Sequence, residues 1–221
     1  MRTDKTRSAG YAGLALVLLG SVFLVSVAEA KSAKGVRVTE QDLRVCMGFA
    51  GASPADQVPV CTKILQSGKV KPPHHADYHA YRAGAYLALK KSTAALDDMN
   101  KAIAVHDKPD FRFQRALVHM ARGSMDEALV DLDTVVRLKA DFAPAYFMRG
   151  AIAFRRDDFK LAEREFDDAV ERLPSYYQAI YARGVAKSRS GDASGGEADM
   201  KTARGMSGRV AEDLALMDIR P

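Results

Sequence analysis

Four arginines, Arg82, Arg115, Arg149 and Arg183, stand 33, 34 and 34 residues apart, and each is followed sixteen residues later by an acid: Asp98, Asp131, Glu165 and Asp199. A planar guanidinium can hold a carboxylate through two parallel hydrogen bonds. The repeated spacing therefore predicts a ladder of structural ion pairs. The competing reading, a row of anion-binding arginines, is weakened because an acid in register neutralises each cation. His74, His75 and His79 form a second cluster, with Asp77 beside them. His75 and His79 lie about one helical turn apart and are of a type that binds divalent transition metals. No further ligand set accompanies them and the H-E-x-x-H motif is absent. A solvated helix entry is expected there, with no metal and no cofactor. Glycine-rich phosphate loops, the G-x-S-x-G nucleophile motif and paired carboxylates in an apolar setting are also missing, so the chain reads as no enzyme.

The chain of 221 residues is 48% apolar and 28% charged, which fits a globular protein with a sizeable core. Its first thirty residues differ from the rest. Arg2, Lys5 and Arg7 precede an uncharged run from Tyr11 to Val27, and Ala28-Glu29-Ala30 fits a small-residue cleavage site. Residues 1–30 are read as a signal peptide that sends the chain to the periplasm or outside the cell, with Lys31 as the mature start. The alternative is an uncleaved membrane anchor. The full chain carries 33 Lys and Arg against 28 Asp and Glu, a net charge of +5. Such a modest and dispersed excess argues against nucleic acid as a partner. Cys46 and Cys61 are the only cysteines. They form neither C-x-x-C nor C-x-x-C-H. Export makes a disulfide the expected state, and two buried free thiols the alternative.

The elements that must position these residues are helical hairpins. In the stretch from Ala143 to Pro174, the small residues Gly150, Ala162 and Ala169 allow two helices to approach closely, and Phe159 and Phe166 fill the space beside them. Arg156, Asp157 and Asp158 interrupt the apolar pattern, and Pro174 ends the second helix. One hairpin cannot bury its own apolar face and needs stacked neighbours. Those neighbours are present. Counting from Ala143, the eighth position is small throughout, as Ala83, Ala116, Gly150 and Gly184, at intervals of 33, 34 and 34.

Tyr146, Gly150, Ala162, Phe166, Ala169 and Pro174 occupy places that resemble the tetratricopeptide-repeat pattern, most closely that of exported proteins of Gram-negative bacteria. The resemblance implies an all-α, right-handed superhelical solenoid. Its parts are a signal (1–30), a flexible leader (31–38), a disulfide-stapled capping hairpin (39–73), four repeats (76–108, 109–142, 143–176 and 177–206) and a C-terminal capping helix (207–221). The last repeat is expected to be loosened by Gly195-Gly196. In this family the first helix of each repeat lines a concave groove. Mapped onto this chain, that surface comprises Phe113, Leu117, Met120, Phe147, Ala151, Phe154, Arg155, Tyr181, Val185 and Arg189. The family's Lys-then-Asn clamp for a peptide carboxylate is absent. The implied function is a non-enzymatic scaffold for a protein or peptide that is apolar with acidic flanks. The alternative is a structural subunit of a cell-envelope complex whose groove is permanently covered.

Overall fold

A computed structural model describes residues 37–49 and 51–221, so the expected signal and nearly all of the leader lie outside the described residues. Eleven helices are found among them: α1 (Glu40–Cys46), α2 (Pro54–Gln66), α3 (Pro72–Ala88), α4 (Ser92–Val105), α5 (Pro109–Ala121), α6 (Met125–Leu138), α7 (Ala143–Arg155), α8 (Phe159–Arg172), α9 (Tyr177–Ser190), α10 (Ala193–Met206) and α11 (Val210–Ala215). Consecutive helices pack as antiparallel hairpins, and each hairpin stacks on the next to form a solenoid. None of these helices is long and apolar enough to cross a membrane.

Local chemistry sets the boundaries. Thr39 and Ser53 each cap a helix through a reciprocal box with Asp42 and Asp56, satisfying backbone N–H groups that have no partner inside the helix. Pro72 starts α3 four residues before Ala76, because Lys71 is extended and the missing N–H of proline costs nothing at a helix start. His74 and His75 therefore sit within the helix rather than ahead of it. The first helix of every hairpin stops in the same manner. At Lys90, Gly123, Asp157 and Gly191 the backbone turns left-handed. The next N–H then bonds back to a carbonyl five residues earlier, as in Ser124 N to His119 O at 2.9 Å. Gly48 does the same for α1, which ends at Cys46.

The capping hairpin is closed twice. Cys46 and Cys61 form a disulfide with a Cα–Cα separation of 5.0 Å. Lys63 Nζ also donates to both carboxylate oxygens of Asp42 at 2.8 and 2.9 Å. That bond, with those from Thr39, holds the Asp42 carboxyl down at about 2. Below this hairpin the core is built from alanines, including Ala76, Ala80, Ala83, Ala95 and Ala102, around Met99. Toward the C-terminus it becomes aromatic, with Phe147, Phe154, Phe166 and Tyr181.

The last repeat is complete: α9 and α10 each have 14 residues. The expectation that Gly195-Gly196 would loosen it is corrected. A Cβ placed on Gly196 would lie 2.5 Å from the Gly184 carbonyl, and one on Gly184 would lie 2.6 Å from the Gly196 carbonyl. Two facing glycines thus bring the helices together.

Candidate functional site

Each ladder arginine is placed by the first helix of a hairpin and each acid by the second. Arg82 Nε and Nη2 donate to the two oxygens of Asp98 at 2.7 and 2.8 Å. Arg115 grips Asp131 at 2.7 and 2.8 Å, and Arg183 grips Asp199 at 2.8 and 2.9 Å. In each case Nη1 reaches back to the preceding hairpin, to Thr62, Asn100 or Asp167. One side chain thereby ties three helices.

The rungs are unequal. Burial pushes the Asp98 carboxyl up, but hydrogen bonds from Arg82 and His79 outweigh it and leave the group below the usual aspartate range. For Asp199, burial is likewise outweighed, here by Arg183 and Lys187. Glu165, one methylene longer, meets Arg149 through a single bond, Nη2 to Oε1 at 2.7 Å. Its Oε2 is buried and has no hydrogen-bond partner among the described residues. Burial dominates here and raises the Glu165 pKa. Arg149 Nε instead leans toward Asp133 at 3.5 Å.

The three histidines do not converge. His79 Nδ1 is 3.0 Å from Asp98, His75 Nε2 is 2.8 Å from the Val70 carbonyl, and His74 stands 3.9 Å from Asp77. His79 thereby belongs to the first rung, just as Arg112 joins the second at 3.3 Å from Asp131. Both occupy the fourth position of their repeats, where the pattern asks for an aromatic. A polar residue at that place was the available signal for this extra bond.

The inner face divides into two halves. Phe113, Leu117 and Met120 are half-buried and keep part of their surface open. Between α3 and α5 lies a depression of about 180 Å³, lined by Ala83, Gly84, Leu87, Gln114, Leu117 and Val118, with Met99 at its base. Asp77 near the start of α3 is paired with Lys108 at 3.3 Å, and Asp110 at the start of α5 with Lys139 at 4.0 Å.

The other half is covered by the chain itself, which corrects the expectation of a groove running through all the repeats. Phe147 is 2% exposed, wedged between Phe166 and Tyr176 at ring separations of 5.5 and 5.2 Å. Burial there pushes the Tyr176 phenol up to about 12. Phe154 meets Phe159 edge-on at 5.2 Å, and Ala151 is also buried. Tyr181, 1% exposed, and Val185 share one core with Val210, Leu214 and Ile219 of the C-terminal segment. The two arginines expected to edge a trough are engaged as well. Arg155 Nη2 reaches Asp218 at 3.4 Å, and the Arg189 guanidinium lies 4.9 Å from the centre of the Phe159 ring. The segment after α10 lies across the first helices of the last two repeats instead of simply extending the stack.

No family model matches the chain. A stretch of 111 residues, 49% of this chain, is 26% identical to the human Tetratricopeptide repeat protein 6 and spans 21% of that protein. This chain therefore spans about a fifth of the length of that curated relative. Among solved structures, MamA aligns with a TM-score of 0.63 at 14% identity over 80% of this chain and 99% of that one. MamA from Desulfovibrio magneticus RS-1 gives 0.60 at 16% identity over 78% and 93%. YrrB, described as a TPR protein with an unusual peptide-binding site, gives 0.58 at 16% over 84% and 92%. At these identities the likeness concerns the fold. The chain is a solenoid of tetratricopeptide-repeat fold.

Proposed function

We propose that the chain is an exported, non-catalytic scaffold that holds an apolar segment of a protein partner against the open half of its inner face. The observation that carries this reading is the depression between α3 and α5, where Leu87 and Leu117 keep apolar surface in water. Exposed apolar surface in a concave setting is the arrangement that anchors a peptide. The peptide-binding site of YrrB supports the reading by analogy of fold. Export rests on residues 1–30 and is supported by the disulfide, which an oxidising compartment maintains.

The test is an array of immobilised peptides probed with the chain beginning at Lys31. The intact protein should select apolar segments. Leu87→Arg with Leu117→Arg should lose that selection while circular dichroism stays unchanged. Selection that survives in the double variant would move the site off the inner face.

A further inference from the structure

The C-terminal segment, residues 207–221, occupies the surface that the repeat pattern assigns to a ligand. Val210, Leu214 and Ile219 are each 0 or 1% exposed, and they share a core with Tyr181 and Val185. The acid that follows Leu214 and Met217, Asp218, meets Arg155. Leu216 and Met217 lie beside Met120, Ala121 and Ala151, with about 190 Å³ left between them. The segment presents branched aliphatic anchors on one side and acids at its flanks, Glu212, Asp213 and Asp218.

Its construction is that of a docked peptide more than of a repeat. α11 has six residues, too few to be helical alone. It ends in a left-handed turn at Asp218, φ 61°, where Ile219 N bonds back to Leu214 O at 3.1 Å. That reversal is what brings Ile219 inward. Ser207, Gly208 and Arg209 link it to α10. Gly208 has open space around it, so the link is not locked by packing. The gain from burying three side chains is smaller than the entropy lost in ordering a dozen residues, so these contacts by themselves hold the segment weakly. The N-terminal hairpin is closed by a disulfide, whereas among the described residues this segment's only side-chain ion pair to a repeat is the exposed one between Arg155 and Asp218.

We infer that residues 207–221 are an intramolecular occupant of the C-terminal half of the inner face. When released, that half accepts a short amphipathic helix of the same chemistry, with branched aliphatic anchors at helical spacing followed by an acid that pairs with Arg155. This concerns the opposite half from the open depression and stands or falls separately from binding there.

The experiment uses the full chain from Lys31 and a fluorescein-labelled synthetic peptide of residues 207–221. The peptide should bind Leu214→Ala with Ile219→Ala at least tenfold more tightly than the unaltered chain, as read by fluorescence anisotropy, because the resident segment no longer competes. Adding Arg155→Glu should remove most of that gain. Native-state hydrogen exchange supplies a second measurement that needs no variant. The amides of Leu214 to Ile219 should exchange at least a hundredfold faster than those of α9. Equal affinity of the two proteins, exchange of the segment together with α9 in one event, or loss of all helicity in the double variant would each make the segment a permanent part of the core and overturn the inference.

Discussion

The two halves of the inner face carry the same backbone pattern and differ in what stands on it. In the first repeat the groove-facing places hold Ala80, Gly84 and Leu87; in the second they hold Phe113, Leu117 and Met120. Ala80 is buried and Gly84 bears no side chain, whereas Leu87, Leu117, Met120 and Phe113, which leans on Phe142 at 5.1 Å, are only half-buried and leave apolar surface open. In the third and fourth repeats the same places hold Phe147, Phe154, Tyr181 and Val185, and each is buried. Large side chains there demand a cover: Phe166, Tyr176 and Phe159 of the repeats supply it for Phe147 and Phe154, and the C-terminal segment shares a core with Tyr181 and Val185. The repeat pattern thus specifies a groove, while the residues placed in it decide whether the groove is a surface or a core.

The largest contrast should come from the aromatic residues. Phe147→Ala removes a ring that is 2% exposed, held between Phe166 and Tyr176, and should cost about 4 kcal/mol in urea denaturation. Phe113→Ala, half-buried on the open side, should cost about 1 kcal/mol. Similar costs at both sites would erase the distinction between the two halves.

Next come the rungs. Arg115→Ala leaves the Asp131 carboxylate, 1% exposed as a side chain, without its bidentate partner and should cost about 3 kcal/mol. Arg149→Ala should cost less, because Glu165 is already poised to take up a proton. Melting temperatures of the two variants at neutral pH check the order. A more damaging Arg149→Ala would show that the single-bonded rung is the stronger one.

A smaller effect of opposite sign separates two glycines. Gly184→Ala drives a methyl into the Gly196 carbonyl and should cost about 1–3 kcal/mol. Gly84, helical and facing open space, should gain about 0.5–1 kcal/mol on substitution by Ala. A fall in melting temperature for Gly84→Ala would mean that the open half is more tightly packed than described.

The smallest effect is pH-dependent. Glu165 has a raised pKa in the folded state, so the fold binds its proton more readily than the unfolded chain does. Its contribution to stability grows as pH falls through that folded pKa and is lost as pH rises. Asp98 and Asp199, whose pKa values are depressed, contribute above the ordinary aspartate range and lose that contribution only as pH falls through their lower folded values. As pH falls from neutral toward the ordinary glutamate range, Glu165→Gln should therefore remove a small gain in melting temperature shown by the unaltered chain. Identical profiles would indicate that Glu165 is adequately paired.

The spacing of small residues and of the Arg-to-acid pairs was enough to indicate stacked hairpins, because period and side-chain size are local properties that survive in a one-dimensional reading. The two cysteines could be paired from their even count and the compartment that residues 1–30 lead one to expect. Three matters were decided only by the tertiary structure. Gly195-Gly196 reads as weakness in sequence, yet it closes a helix crossing, since the facing Gly184 comes from another helix. The Glu165 rung looks equivalent to the others until its extra methylene is placed against a fixed Arg149. Phe147, Phe154, Tyr181 and Val185 match the groove positions, but whether they meet solvent depends on residues brought over them from elsewhere in the chain: Phe166, Tyr176 and Phe159 for the first two, and the C-terminal segment for Tyr181 and Val185. A left-handed turn at Asp218 sends Ile219 into the core, and no periodicity in the chain encodes that return.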